Sequence, residues 1–187
     1  TIDIQALGSG DAEVLNLQAQ NAITMSDGAL INASSVGSGN GGTVKLAATT
    51  ITLDNVEVLG EAIGTGSGGD ILFEATTVSI SNDSTVNVSS LSTIDEAGDA
   101  GAVRITAETV NIANTEFLLA TLGGGEGGAL EIDATDIDLS QTLIEAETKG
   151  SGNGGEILMR GETIDWRDVA VNASGIGTGV GGEILLQ

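Results

Sequence analysis

The chain has 187 residues, of which 27 are acidic and 5 basic; it contains no histidine, cysteine or proline, and its formal net charge is −22. Phosphate binding rests on clustered Lys and Arg, so this balance argues against nucleic acid and against an anionic membrane surface as partners. No apolar run reaches the length of a membrane span, Thr1-Ile2-Asp3 does not begin a signal peptide, and the absence of cysteine means only that the fold needs no disulfides.

In chain order, residues 1–7 read as strand from a unit whose register the sequence leaves open. A degraded unit then starts at Gly8-Ser9-Gly10-Asp11-Ala12-Glu13 and runs through Leu15, Leu17, Ala19, Ile23 and Met25. It aligns with Gly37-Ser38-Gly39-Asn40-Gly41-Gly42 at a spacing of 29. From there pairs of small residues recur, with the second glycine at Gly42, Gly69, Gly101, Gly128, Gly155 and Gly182. The spacings are 27, 32, 27, 27 and 27. Two positions after each pair stand Val44, Ile71, Val103, Leu130, Ile157 and Ile184; four after, Leu46, Phe73, Ile105, Ile132, Met159 and Leu186. Six after, the residue is small: Ala48, Ala75, Ala107, Ala134 and Gly161. Nine and eleven after come Ile51, Val78, Val110, Ile137 and Ile164, then Leu53, Ile80, Ile112, Leu139 and Trp166. A third alternating pair follows, read as Val56 and Val58, Phe117 and Leu119, Ile144 and Ala146, Val169 and Val171. The last unit stops after one strand, at Gln187.

Steps of two are the strand period, with one face buried and one wet. The single step of three after the small column marks a corner. A 27-residue unit with three short strands cannot bury its apolar face alone, but stacked copies can. The predicted fold is therefore all-β: a right-handed parallel β-helix of six to seven turns, residues 1–187 forming one segment. A propeller blade needs roughly 40 to 50 residues, and helical solenoids do not fit this glycine content or the Thr, Ile and Val abundance. Ala107→Leu is expected to overpack the corner and cost about 1–3 kcal/mol. Trp166 is the misfit of its column, implying either a wider core or a shifted register. Strand-like beginnings and a severed last unit, with no polar cap at either end, predict a piece of a longer repeat chain or ends that associate.

Several motifs carry chemistry elsewhere. Gly37, Gly39 and Gly42, like Gly64, Gly66 and Gly69 and Gly150, Gly152 and Gly155, spell the dinucleotide fingerprint; that motif needs a helix after it, and here a strand follows. The loops lack the calcium-binding nonapeptide pattern. Calcium has a rationale only where carboxylates stack in adjacent turns, Asp138 over Asp165 and Glu156 near Glu183, because a hard cation relieves their repulsion. The simpler account is a solvated acidic face with no resident metal or cofactor. Asp136, Asp138, Asp165 and Asp168 form the densest acidic cluster and are the candidates for paired-carboxylate hydrolysis in a polysaccharide-active lyase or hydrolase, but no long loops build a cleft there. Arg104 with Glu131 and Asp133 with Arg160 are expected cross-turn ion pairs. Outward Thr49, Thr50, Thr76, Thr77, Thr109 and Thr163 form ranks of the kind that match an ice lattice, interrupted by Glu108, Asp136 and Glu162.

Blocks such as Gly-Ser-Gly-Asn-Gly-Gly-Thr-Val-Lys-Leu-Ala-Ala-Thr-Thr-Ile-Thr-Leu-Asp (37–54) and Gly-Gly-Asp-Ile-Leu-Phe-Glu-Ala-Thr-Thr-Val-Ser-Ile (68–80) resemble the repeat region of filamentous haemagglutinin-like exoproteins of two-partner secretion, in the glycine-rich style of the large cyanobacterial examples. The resemblance covers about residues 8–187 and rests on repeat style; the family's amino-terminal secretion domain has no counterpart here. It implies a β-helical shaft, secreted or displayed on the outer cell surface. Such a shaft is non-catalytic and adhesive, its partners being neighbouring turns, surface polysaccharide or another cell. The alternatives are a polysaccharide-active enzyme and a self-assembling filament subunit.

Overall fold

In a computed structural model, which describes residues 1–94 and 96–187, the chain folds as a parallel β-solenoid. Its strands are β1 (Ile2–Asp3), β2 (Val14–Gln18), β3 (Ala22–Asn32), β4 (Thr43–Ala47), β5 (Thr50–Leu59), β6 (Ile71–Glu74), β7 (Thr77–Ser81), β8 (Ser84–Asn87), β9 (Ala102–Thr106), β10 (Thr109–Leu118), β11 (Ala129–Asp133), β12 (Asp136–Glu145), β13 (Glu156–Arg160), β14 (Thr163–Arg167), β15 (Ala170–Asn172) and β16 (Glu183–Leu186). One seven-stranded sheet, β16-β13-β11-β9-β6-β4-β2, takes one strand from each turn. A nine-stranded sheet takes β1, β3, β5, β7, β10, β12 and β14, with β8 and β15 paired alongside. Among the described residues no helix interrupts this order.

Every apolar column of the first sheet stacks as its spacing predicts. Val44 pairs with Ile71, Ile71 with Val103, Val103 with Leu130, and Leu130 with Ile157. Leu46, Phe73, Ile105, Ile132 and Met159 lie in register beside them and are sealed from solvent. Facing them, Ile51, Val78, Val110 and Ile137 are also buried, as are Leu53, Ile80, Ile112 and Leu139. Trp166 keeps the register, directly over Leu139 and half-buried against the core in the last full turn, so the column does not shift.

Two details depart from the sequence reading. The second and third strands are continuous in β3, β5, β10 and β12, bending at one column of left-handed residues rather than breaking: Asn55, Asn114 and Gln141, with Asp27 and Gly28 in β3. The same column parts β7 from β8 at Asn82 and Asp83, and β14 from β15 at Asp168. Asn and Asp tolerate this conformation better than most residues. The third apolar pair also falls out of step. Phe117 stacks on Val86 and Ile144, in the column of Val58, not of Val56. Next to the bend the inward position is instead a buried hydroxyl in three turns, Ser84, Thr115 and Thr142, which donates back to the carbonyls of Ser81, Ala113 and Ser140. A hydroxyl there satisfies a carbonyl that the bend takes off the ladder.

The irregular intervals now have locations. Of the extra residues of the first unit, one sits at the corner between β2 and β3 and one in the Asp27–Gly28 bend of β3: Leu17 is 29 residues from its partner Leu46, Met25 is 28 from Leu53, and Ile31 is 27 from Val58. Of the five surplus residues between Gly69 and Gly101, one lies in the Asn82–Asp83 bend and four between Ser90 and Gly101. Only β3 takes one within a strand; the rest fall between strands. Residues 1–7 acquire a register too, Ile2 pairing with Ile31 and Ala6 bridging to Ser35.

The small column is less enclosed than the spacing suggested. Ala48, Ala75 and Ala107 are half-buried against the core, whereas Ala134 is 7% exposed. A leucine at 107 has solvent to turn toward. Ala107→Leu is therefore expected at the low end of the overpacking range, about 1 kcal/mol, and Ala134→Leu nearer 3 kcal/mol. Urea titrations of both variants check that order.

Candidate functional site

Outward side chains of a stacked strand meet their counterparts in the next turn, so charges on a solenoid form ladders. Four of the five basic residues are spent on such ladders. Lys45 Nζ lies 2.6 Å from Glu74. Arg104 approaches Glu131 at 3.6 Å, as expected. Arg160 pairs in backbone register with Asp133, but its guanidinium reaches Glu131 at 2.6 Å, so the predicted Asp133–Arg160 pair is replaced by one glutamate shared between two arginines. Glu131 on the neighbouring outward column is the nearer arc for a long side chain leaning along the strand.

The four candidate catalytic carboxylates belong to β12, β14 and the bend that follows β14, and two of them, Asp136 and Asp138, already accept side-chain hydrogen bonds. Asp138 and Asp165 are register partners. Arg167 holds both oxygens of Asp138 at 2.5 and 2.7 Å and offsets the repulsion that a cation would otherwise relieve. Asp136 accepts from Thr163 Oγ1 at 2.6 Å, and Asp168 occupies the left-handed bend. Glu156 and Glu183 are register partners and line one shallow groove of about 410 Å³ with Glu126, whose Oε1 takes a 3.1 Å bond from Asn153. Among the described residues no three carboxylates converge as a metal site would require. Another groove, about 300 Å³, follows the bend between Asp83, Thr85, Asn114, Glu116, Gln141 and Leu143; Asn114 Nδ2 donates to Asp83 at 2.7 Å across it.

The glycine segments build the tightest face. The alternating loop glycines Gly39, Gly66, Gly98, Gly125, Gly152 and Gly179 stack so closely that a Cβ on each would overlap backbone of the turn beneath. Beside them runs a polar ladder. Asp11 Oδ1 accepts from Asn40 N at 2.7 Å, Asn40 Oδ1 from Ser67 N at 2.9 Å, Asp99 Oδ1 from Glu126 N at 2.8 Å, and Asn153 Oδ1 from Val180 N at 3.0 Å. These bonds occupy the loop amides that a nucleotide phosphate would need, which is the geometry of a turn and not of a dinucleotide cradle.

A second polar cluster was not legible from spacing. At the end of the third strand, Asn32, Asn87 and Asn172 each turn Oδ1 onto the backbone N–H two residues on, at Ser34, Ser89 and Ser174. Asn87 Nδ2 also donates to Glu61 at 2.6 Å, and Asn172 Nδ2 to Glu147 at 2.8 Å. Glu147 is only 7% exposed and meets Lys149 Nζ at 2.9 Å. The recurring Asn-x-Ser triplets, with Glu61 and Glu147 one turn earlier, were the available signal.

Burial pushes the Glu61 carboxyl above its ordinary pKa, with the charge of Glu57 adding to the shift. A raised carboxyl pKa means the native state holds its proton more tightly than the unfolded chain, so this contribution is complete below the unfolded pKa and is lost as pH rises through the native value. Glu61→Gln should therefore melt higher than the parent at pH 7, the difference closing as both are acidified below the usual carboxylate range. Thermal scans at several pH values read this directly.

Comparison of the chain with protein-family models, with curated proteins and with solved structures found no match.

Proposed function

We propose that this chain is a non-catalytic shaft segment of a secreted or cell-surface adhesive fibre. The observation that carries the reading is uniformity: about seven turns whose strands stack in parallel, with continuous apolar columns through both sheets and four of the five Lys and Arg side chains held in cross-turn pairs. A rod of repeated layers at about 4.8 Å rise supplies length and stiffness, which is what a shaft contributes. The resemblance of residues 37–54 and 68–80 to filamentous haemagglutinin-like repeats supports the same role, and with it an extracellular location. An acidic exterior suits a fibre that stays soluble and resists lateral collapse.

The test pairs two measurements on the purified chain. Beads coated with it are expected to be retained on at least one of a panel of surface polysaccharides or whole cells. Acidic and neutral polysaccharides incubated with it are expected to yield neither new reducing ends nor unsaturated products. Turnover that disappears in Asp138→Asn or Asp165→Asn would replace the shaft reading with a hydrolase or lyase.

A further inference from the structure

The geometry points to a self-catalysed isopeptide cross-link between Lys149 and Asn172, joining two adjacent turns with Glu147 as the proton carrier. Four groups that amide transfer needs stand together. The nucleophile is Lys149 Nζ, 2.9 Å from Glu147 Oε1. The electrophile is the Asn172 carboxamide, whose Oδ1 accepts from Ser174 N at 3.2 Å and from Ser174 Oγ at 2.8 Å. Two donors on one carbonyl oxygen draw electron density from its carbon and stabilise the oxyanion that forms on attack. The departing nitrogen, Asn172 Nδ2, is bonded at 2.8 Å to Glu147 Oε2. One nearly buried carboxylate thus touches both the amine that must lose a proton and the nitrogen that must gain one.

The step balances without a cofactor. Lys149 first loses one proton to solvent; its neutral amine then forms a C–N bond to Asn172 Cγ with its lone pair while a second proton passes from Nζ to Glu147. The tetrahedral intermediate places negative charge on Oδ1. The Cγ–Nδ2 bond then breaks with its electron pair on nitrogen, Glu147 returns the proton, and ammonia leaves. The same Asn–Glu pairing exists at Asn87 and Glu61, and there the residue two beyond the glutamate is Ile63. That turn has the base and the amide and lacks the nucleophile, so one site is assigned.

Glu147 and, more weakly, Glu145 hold Lys149 protonated above its ordinary pKa, so bond formation is slow at neutral pH and faster in alkali. The experiment is intact-mass spectrometry of the purified full chain after incubation at pH 7 and at pH 9. The expected mass is one ammonia, about 17 Da, below that of the sequence. Proteolysis is expected to give a branched peptide joining the segments around Lys149 and Asn172. Lys149→Arg and Glu147→Gln, checked for the parental β circular-dichroism signal, are each expected at full mass. A wild-type chain at full mass after both incubations overturns the assignment. So does an ammonia loss that persists in Lys149→Arg, which is the signature of succinimide at Asn40-Gly41 or Asn153-Gly154.

Discussion

Gly66→Ala, a change of one methyl group, is expected to lower the thermal midpoint by roughly 6–12 °C, corresponding to about 3 kcal/mol for a chain of this size. The backbone at Gly66 is not left-handed, so conformational strain is not the cause. The cause is contact: a Cβ there would overlap the carbonyl oxygen and carbon of Gly39 in the turn beneath. Backbone cannot rotate away as a side chain can. Relief requires the two loops to part, and parting them stretches the neighbouring bonds from Gly41 N to Ser67 O at 2.8 Å and from Thr65 N to Gly37 O at 3.0 Å. Gly28→Ala is the control, since nothing lies near its Cβ; there the cost arises from positive φ alone and is about 1 kcal/mol. Calorimetry on the two variants separates steric from conformational use of glycine. Equal midpoints would refute the close-stacked loop face.

Phe73→Ala should cost about 3–5 kcal/mol, the range for emptying a fully buried aromatic position. Phe73 is sealed between Leu46 below and Ile105 above, and both are themselves closed to solvent. A solenoid core relaxes poorly around such a hole, because each neighbouring side chain is pinned by its own ladder. The loss should also be local. Each turn contacts mainly its nearest neighbours, so hydrogen exchange is expected to rise in β4, β6 and β9 while β13 stays protected. Uniform loss of protection along the rod would show that the turns unfold as one unit.

The apolar frame was readable in advance because two constraints repeat without interference: a period of two within strands and small residues at corners. The columns from Val44 to Ile157 and from Ile51 to Ile137 needed nothing more. Where the frame failed, a polar group had taken an inward place. Ser84, Thr115 and Thr142 do not look like core, yet the bend beside them frees a carbonyl that only a hydroxyl can answer. Searching for apolar residues therefore slid Phe117 by two positions. Gln141 hid the bend in its own turn, since glutamine does not advertise a left-handed backbone as Asn55 and Asn114 do. Among the candidate sites, the stacking of Asp138 on Asp165 followed from the period, but the clasp by Arg167 did not, because a long side chain selects among several acceptors within reach. The Glu147 cluster escaped for a related reason. Its members come from two turns, and only the folded register sets them on one carboxylate.

The surplus between Ser90 and Gly101 has a practical corollary. Four added amino acids are carried there while the layers on either side keep their alignment, Ser90 still meeting Thr121 and Gly101 still following Gly69. Foreign peptides spliced into that stretch should be displayed sideways from the rod without disturbing its axis, making it the natural berth for a graft.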